Sequence, residues 1–162
     1  MDVVVEINCD SELWNNFIVE AEDILKEATH RVFESVDVSH RVKNVEISVL
    51  LTDNESMQIL NNDYRGKDKP TNVLSFPSEI FSSHDLSNAN EDIALGDLAF
   101  AYETIEFEAQ EQEKDFKGHF THLAVHGILH LLGYNHIETD EAEEMEAIEI
   151  SVLKDMGVDN PY

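Results

Sequence analysis

The chain has 162 residues, a net charge of −25 at neutral pH and a single cysteine, Cys9. One cysteine excludes an internal disulfide and a cysteine-based metal site, and it is typical of a reducing compartment. The strong negative charge argues against broad, non-specific binding to nucleic acid or to anionic membranes.

We expect neither a secretory signal nor a membrane span from this sequence. Residues 1–10 lack the basic and apolar segments of a secretory signal, and no apolar stretch approaches the roughly 18 residues of a membrane span. We therefore expect a cytoplasmic protein with no membrane partner. The length predicts one domain, residues 1–162.

The first half of the chain predicts alternating strands and helices. Residues 3–7 read as a short strand, and Ser11 is the expected N-cap of a helix. The inward residues of that helix are predicted to be Leu13, Phe17, Ile24, Ala28 and Val32. A second strand is predicted from the alternating residues Val45, Ile47, Val49 and Leu51. The capping-box sequence at 52–55, which begins with Thr52, predicts a helix that runs through Leu60.

The second half predicts mainly helices. A polar loop at 63–70 leads into a third strand at 71–76, which Pro77 stops, and 82–92 predicts a mobile loop. The remaining predicted elements are a strand at 94–100 and helices at about 102–113, 116–132 and 139–156. The predicted buried stripe of the last helix is Ala142, Met145, Ile148, Val152 and Met156. Together these elements predict an α+β fold, with about five helices packed on a small, mixed, four-stranded sheet.

The strongest motif lies in the helix predicted at 116–132. His126 and His130 are four residues apart, so both point from one face of that helix. Gly133 can take the left-handed conformation that ends a helix, which lets His136 return to the same point. Histidine is the commonest side-chain ligand for zinc, and three protein ligands leave a position open for water. We therefore predict a catalytic metal site on a buried, central helix; a cluster of structural histidines is the alternative.

The histidine spacing matches the H-E-x-x-H-x-x-G-x-x-H signature of metzincin proteases, with one difference. The protease glutamate that acts as general base would stand at position 127, where this chain has Gly127. Since glycine has no side chain, a protease of that type would lack its base.

The sequence instead closely resembles the YbeY family of bacterial endoribonucleases, also called rRNA maturation factors. Three segments carry the resemblance: residues 64–77 (YRGKDKPTNVLSFP), residues 95–97 (LGD), and residues 122–136 with their continuation at 141–146. The resemblance covers the chain from about residue 45 to the end. One departure is Asn135, because the family motif usually reads G-Y-D-H; asparagine keeps the hydrogen-bond acceptor but loses the charge.

The resemblance implies a metal-dependent endoribonuclease specific for single strands. It implies action in rRNA processing, especially 16S rRNA 3′-end maturation, and in ribosome quality control. It implies one Zn²⁺ per chain, held by His126, His130 and His136, and a functional arginine at Arg65. The expected partners are single-stranded RNA and ribosomal RNA, with small-subunit ribosomal proteins and a ribosome-associated GTPase, but no DNA.

Four residues are candidates for binding the substrate. Arg65 can bind two phosphate oxygens and stabilise charge at the attacked phosphorus; the alternative is a surface cation. Lys67 and Lys69 are candidates for tracking the RNA backbone, and solvated loop charges are the equal alternative. Ser75 has no nucleophile motif around it, so we expect a strand residue that lines the cleft.

Two further residues have less certain roles. His122 lies one helical turn before His126, and we expect it to support a ligand or to pack in the core. Asp97 is a candidate acceptor for a hydrogen bond from a ligand histidine, and a strand-end turn is the equal alternative.

Two other functions stay open at the level of sequence. One is another metallohydrolase, such as a peptidase, against which Gly127 argues. The other is a non-catalytic ribosome assembly factor with a structural metal, because an acidic surface suits basic ribosomal proteins better than naked RNA. The proton acceptor also stays open between metal hydroxide, a carboxylate from another segment, and the RNA 2′-hydroxyl.

Overall fold

The computed structural model describes residues 1–36, 41–78, 91–135 and 137–162. The strands in these residues are β1 (Asp2–Cys9), β2 (Asn44–Thr52), β3 (Val73–Pro77) and β4 (Asp92–Ala101). The helices are α1 (Ile18–Ser35), α2 (Asn54–Arg65), α3 (Tyr102–Glu111), α4 (Phe116–Leu131) and α5 (Thr139–Asp155), with a short 3-10 helix at Glu12–Trp14. The predicted α+β class is confirmed.

The four strands form one mixed sheet in the order β1-β2-β4-β3. Strands β1, β2 and β4 are parallel to one another, and β3 pairs antiparallel with β4 at the edge of the sheet. Parallel neighbours require crossover connections, which α1 supplies between β1 and β2. The edge position of β3 leaves one of its sides available to form the wall of a cleft.

The two faces of the sheet are covered differently. Successive strand residues point to opposite faces, and the predicted set Val45, Ile47, Val49 and Leu51 is buried in the main core with α1 and α4. We call this side the helical face. The other side, which we call the open face, packs a smaller cluster against α2: Met57, Leu74, Ala99 and Ala101.

Helix α4 lies at the centre of the fold, as the sequence predicts. It packs against α1, α3, α5 and β3. The buried residues of α4 are His119, Phe120, Thr121, Leu123, Ala124, Val125, Gly127, Ile128, Leu129 and Leu131. A helix that is held on several sides is a rigid support for two ligands.

The start of α1 differs from the prediction. Ser11 accepts a hydrogen bond from the backbone N–H of Leu13, but the turn it caps is the 3-10 helix, and α1 begins only at Ile18. Leu13 is 47% exposed, so its predicted place in the core is wrong. Trp14 is buried instead, where its Nε1 donates to the Thr52 carbonyl at 2.8 Å. The prediction placed residue 13 on an α-helix, whereas a 3-10 turn has three residues per turn and points its side chains differently.

The limits of α2 also differ from the prediction. Thr52 is the last residue of β2, so Asp53 becomes the N-cap and accepts from the N–H of Ser56 at 2.9 Å. The helix continues to Arg65 and ends at Gly66, which has a left-handed φ of 68°. The predicted loop at 63–70 therefore begins later, and Arg65 is a helix-terminal residue.

Part of the predicted loop at 82–92 lies outside the described residues, which resume at 91. Its last residue, Asp92, is the first residue of β4. Within the described ranges, no helix combines the length and the apolar character that a membrane span requires.

Candidate metal centre and cleft

Helix α4 brings two of the predicted ligands together. Its N-terminus is capped by Asp115, whose carboxylate accepts from the N–H of Gly118 at 2.9 Å. His126 and His130 lie one turn apart near its end, and their Nε2 atoms are 2.9 Å from each other. Both rings line the same cleft.

The other ring nitrogens of these histidines are held by hydrogen bonds. Nδ1 of His126 lies 2.9 Å from Oε1 of Glu149, and Nδ1 of His130 lies 2.9 Å from the carbonyl oxygen of Tyr134. A carbonyl and a carboxylate can only accept, so each Nδ1 carries the hydrogen. In the neutral rings each Nε2 then carries a lone pair.

The facing lone pairs provide a test of whether these residues fit a metal. Two lone pairs 2.9 Å apart repel each other unless a proton or a cation lies between them. Zinc bonds to imidazole nitrogen at about 2.0–2.1 Å, so two such nitrogens on a tetrahedral ion are about 3.3 Å apart. The two Nε2 atoms would therefore have to move apart by only a few tenths of an ångström to admit the ion. The donor set therefore fits zinc.

The turn after α4 follows the predicted geometry. Gly133 has φ 95°, in the left-handed region, and its N–H donates to the His130 carbonyl at 3.0 Å. The N–H of Tyr134 then donates to the Leu129 carbonyl at 3.1 Å, so the chain folds back on the helix. His136, the predicted third ligand, lies outside the described residues.

Asn135 stabilises the chain beyond this turn. Its Oδ1 accepts a hydrogen bond from the N–H of Ile137 at 3.1 Å. This is the acceptor function that asparagine shares with the aspartate usual at this position of the family motif.

The cleft beside the two histidines has a volume of about 680 Å³. It is lined by Tyr64 and Arg65 at the end of α2, by residues 71–77, by the two histidines and by residues 133–135. Arg65 is exposed. It lines the same cleft as the two histidines, although about 60 residues separate it from them in the sequence. Lys67 and Lys69 are exposed and lie outside the set of lining residues.

Ser75 lines the cleft from β3, where the strand contacts α4 at Gly127. Its hydroxyl lies 3.4 Å from the Gly127 carbonyl oxygen, a weak hydrogen bond. A Cβ atom on Gly127 would lie 2.9 Å from Cδ2 of Leu98, so position 127 faces the sheet. A glutamate there would press against Leu98 unless that side chain moved, and Gly127 itself supplies no general base, which argues against a metzincin-type peptidase.

Glu149 of α5 contacts the candidate metal centre, and the sequence did not predict this. Its side chain is fully buried and accepts from His122 at 3.1 Å as well as from His126. Burial alone would raise the pKa of this carboxyl, but the hydrogen bonds from the histidines outweigh burial and hold the pKa well below its usual range. The sequence contains one signal for the burial of Glu149, which is its position between Met145 and Val152 on the apolar stripe of α5.

His122, His126 and Glu149 form a second group that could hold a metal ion, since their ligand atoms lie within 4.8 Å of one another. In this group the histidine nitrogens already donate to the carboxylate. A metal there would have to displace both hydrogen bonds, and neither His122 nor Glu149 lines the cleft. The facing Nε2 atoms are therefore the better candidate, with Glu149 orienting one ring.

Known proteins match this chain over most of its length. A family model described as Endoribonuclease YbeY matches residues 10–157. The chain belongs to this family. The family prediction made from three sequence segments is thus confirmed.

Relatives of this YbeY-family chain extend the match. Endoribonuclease YbeY of Bradyrhizobium diazoefficiens is 45% identical over 143 residues, covering 88% of this chain and 76% of the relative. Endoribonuclease YbeY of Paramagnetospirillum magneticum is 41% identical, covering 100% of this chain and 96% of the relative. A Thermotoga maritima protein solved in solution has the same fold, with a TM-score of 0.55 and 21% identity, covering 95% of this chain and 92% of that one.

A second polar network of this YbeY-family chain was also not predicted. Glu108 of α3 accepts from the Nδ2 group of Asn72 at 3.0 Å and pairs with Nε2 of the buried His119 at 3.0 Å. Burial raises the pKa of Glu108, but the hydrogen bonds from His119 and Asn72 bring it below its ordinary value. This network ties the start of β3, one wall of the cleft, to α3 and α4.

Asp97 does not belong to the metal centre. It alternates with Leu98, which faces Gly127 of α4, so Asp97 points to the open face of the sheet. There it lines a groove of about 870 Å³ together with Glu6 and Tyr64. One prediction for Asp97 was that it accepts a hydrogen bond from a ligand histidine. His126 and His130 do not make this bond, because their Nδ1 atoms bond to Glu149 and to the Tyr134 carbonyl.

Proposed function

We propose that this protein is a zinc-dependent endoribonuclease, specific for single-stranded RNA, built as one domain over residues 1–162. The observation that carries the proposal is the pair of Nε2 atoms of His126 and His130, 2.9 Å apart in a cleft that Arg65 also lines. Membership of the Endoribonuclease YbeY family supports the same reaction class.

The proposed ligands are His126, His130 and His136, with one Zn²⁺ per chain. When bound, zinc would lower the pKa of a water molecule and polarise the scissile phosphate. Glu149 and the Tyr134 carbonyl fix both described rings with Nε2 towards the cleft, which removes the cost of orienting them when the ion binds.

Arg65 is the proposed catalytic cation. Its guanidinium has the geometry to bind two phosphate oxygens, and it would stabilise the negative charge that develops on the phosphate. It is the last residue of α2, so the helix sets the position of its backbone beside the cleft. Arg65, Ser75, Lys67 and Lys69 remain the proposed contacts to substrate; the two lysines would act on phosphates outside the cleft.

Single-strand preference has a candidate cause in Tyr64. Its side chain is 68% exposed, lines the cleft and packs edge to face on Phe76, with ring centroids 5.1 Å apart. An exposed aromatic ring that a second ring holds in place can stack on an unpaired base, whereas a base inside a duplex is already covered on both faces by its stacked neighbours.

The proposed biological substrate rests on the resemblance to the family rather than on the geometry of the cleft. We propose ribosomal RNA, with a role in 16S rRNA 3′-end maturation and ribosome quality control in the cytoplasm. The net charge of −25 disfavours long-range capture of RNA and suits basic partners, so small-subunit ribosomal proteins and a ribosome-associated GTPase are proposed to deliver the site to its RNA.

The acidic surface also favours the alternative of a non-catalytic ribosome assembly factor.

One experiment separates these functions. The purified protein is incubated with single-stranded RNA, the same RNA as a duplex, single-stranded DNA, and casein, each with and without a chelator. The proposal expects cleavage of single-stranded RNA alone, lost with chelator. Cleavage of casein would support a peptidase, and no cleavage of any substrate would support the assembly factor.

A further inference from the structure

Residues 158–162 fold back beside the buried end of the metal centre. The chain reverses after α5 at Gly157, with φ 78°, and the N–H of Val158 donates to the Leu153 carbonyl at 2.8 Å. A second turn, in which the N–H of Tyr162 donates to Oδ1 of Asn160 at 2.8 Å, directs the Tyr162 side chain towards α4.

The hydroxyl of Tyr162 donates to Oε2 of Glu149 at 2.6 Å. The other oxygen of this carboxylate, Oε1, accepts from Nδ1 of His126. The Tyr162 ring also meets the ring of His122 edge to face, with centroids 5.7 Å apart. Two hydrogen bonds thus connect Tyr162 to Nδ1 of the His126 ring, whose other nitrogen, Nε2, the proposed function assigns to zinc.

The Glu149 carboxylate needs hydrogen-bond donors because it is buried among apolar side chains. Glu149 is fully buried on an otherwise apolar stripe, and Oε2 accepts from both His122 and Tyr162. A charge-assisted O–H···O⁻ hydrogen bond of this length is among the stronger ones in proteins. Removing the hydroxyl leaves a buried carboxylate one donor short, and its side chain can then rotate to find another.

We propose that Tyr162 is a positioning residue of the metal centre. Its hydroxyl holds the Glu149 carboxylate in the orientation that keeps hydrogen on Nδ1 of His126 and turns Nε2 towards the cleft. This inference rests on the proposed function, because it assigns the benefit of that orientation to metal binding. Tyr162 touches neither the metal nor the substrate.

The first test measures zinc affinity, by competition with a chromophoric chelator. Tyr162→Phe keeps the ring contact with His122 and removes only the hydroxyl. Tyr102→Phe is the matched control, because Tyr102 packs on Trp14 and Phe116 at a distance from the centre. We expect Tyr162→Phe to bind zinc about tenfold more weakly, the lower end of the range for loss of a group that orients a ligand. We expect Tyr102→Phe to bind as the wild type does.

The second test uses metal-free protein, so it does not depend on zinc or on RNA cleavage. Histidine ¹⁵N NMR should show His126 with hydrogen on Nδ1 in the wild type and a mixture of tautomers in Tyr162→Phe. Glu149→Gln should shift that mixture further. Zinc affinity and tautomer in Tyr162→Phe equal to those of Tyr102→Phe would overturn the inference, and so would a lower melting temperature with both readouts unchanged. Absence of zinc binding in the wild type would instead contradict the proposed function.

Discussion

The carbonyl oxygen of Tyr134 lies 2.9 Å from Nδ1 of His130. The contact links the turn after α4 to the ring of a proposed ligand. Tyr134 reaches His130 because the left-handed conformation of Gly133 folds the chain back on the helix. The same backbone turn therefore closes the helix and fixes the tautomer of His130.

The Gly133 turn is testable by substitution. Gly133→Val should weaken zinc binding at least tenfold although glycine ligates nothing, because a β-branched residue at φ 95° is strained and the turn will move. Gly66→Val is the matched control: it carries the same kind of strain at φ 68°, at the end of α2, with open space around it. Zinc titration should find the control unchanged; equal affinity in both folded variants would contradict this account.

Charge reversal tests the role of Arg65. Arg65→Glu should lower the rate of RNA cleavage roughly a hundredfold, the scale for loss of one group that stabilises transition-state charge. Arg65→Lys should recover part of the rate, since an ammonium cannot form two parallel hydrogen bonds. Melting temperature and zinc content should stay near the wild-type values, because an exposed cation contributes little stability.

Arg31→Glu serves as the control for Arg65, since Arg31 lies on α1 in a surface ion pair with Glu27. Increasing salt should weaken RNA binding by the wild type, and the slope should be shallower in Arg65→Glu than in Arg31→Glu. Normal cleavage by Arg65→Glu would remove Arg65 from the site, and loss of zinc or folding would make it structural.

Tyr64 gives a test of substrate preference. Tyr64→Ala should weaken binding of a single-stranded RNA about tenfold and reduce the preference over duplex, as expected for loss of one stacked base. Tyr64→Phe should keep both. The control is Phe107→Ala, which removes another exposed aromatic ring, on α3. An unchanged preference in Tyr64→Ala would exclude base stacking at this position.

The Glu108 network predicts a pH-dependent stability. The pKa of Glu108 is lower in the folded protein than its ordinary value near 4.5, so its carboxylate stabilises the fold above that pH. Glu108→Gln should lower the free energy of unfolding by about 1–2 kcal/mol at pH 7. The difference should shrink as pH falls through the folded pKa, where the wild type loses the same contribution.

Denaturant titrations at pH 7 and at pH 3–4 check the Glu108 prediction, with Glu106→Gln as an exposed control on the same helix. The control should match the wild type at both pH values within a few tenths of a kcal/mol. A Glu108→Gln deficit that stays constant with pH would show that the network acts through packing rather than charge.

The sequence predicted α4 well because its signals are local. The apolar composition, the four-residue spacing of His126 and His130, and the glycine at 133 all reside in one short segment. The caps of α1 and α2 were shifted because neighbouring structure competes for the same residues. Thr52 could not cap α2 since it completes β2.

The supporting residues could not be predicted in the same way. Glu149 stands in a strongly acidic helix, where only contact with His122 and His126 distinguishes it from solvated glutamates. Tyr162 lies in a segment without periodic pattern, and its place depends on two turns. Such residues are chosen by tertiary packing, which one sequence does not display.

His126 and His130 of α4, together with His136, are proposed to hold the metal with which RNA is cleaved. The direct measurement adds zinc in steps to metal-free protein and follows cleavage of a single-stranded RNA at each step. We predict that activity is absent at the start and saturates at about one zinc per chain. His126→Ala should stay inactive throughout, and His30→Ala, a histidine of α1, should follow the wild type. Full cleavage by the metal-free wild type, or zinc-restored cleavage by His126→Ala, would contradict the account.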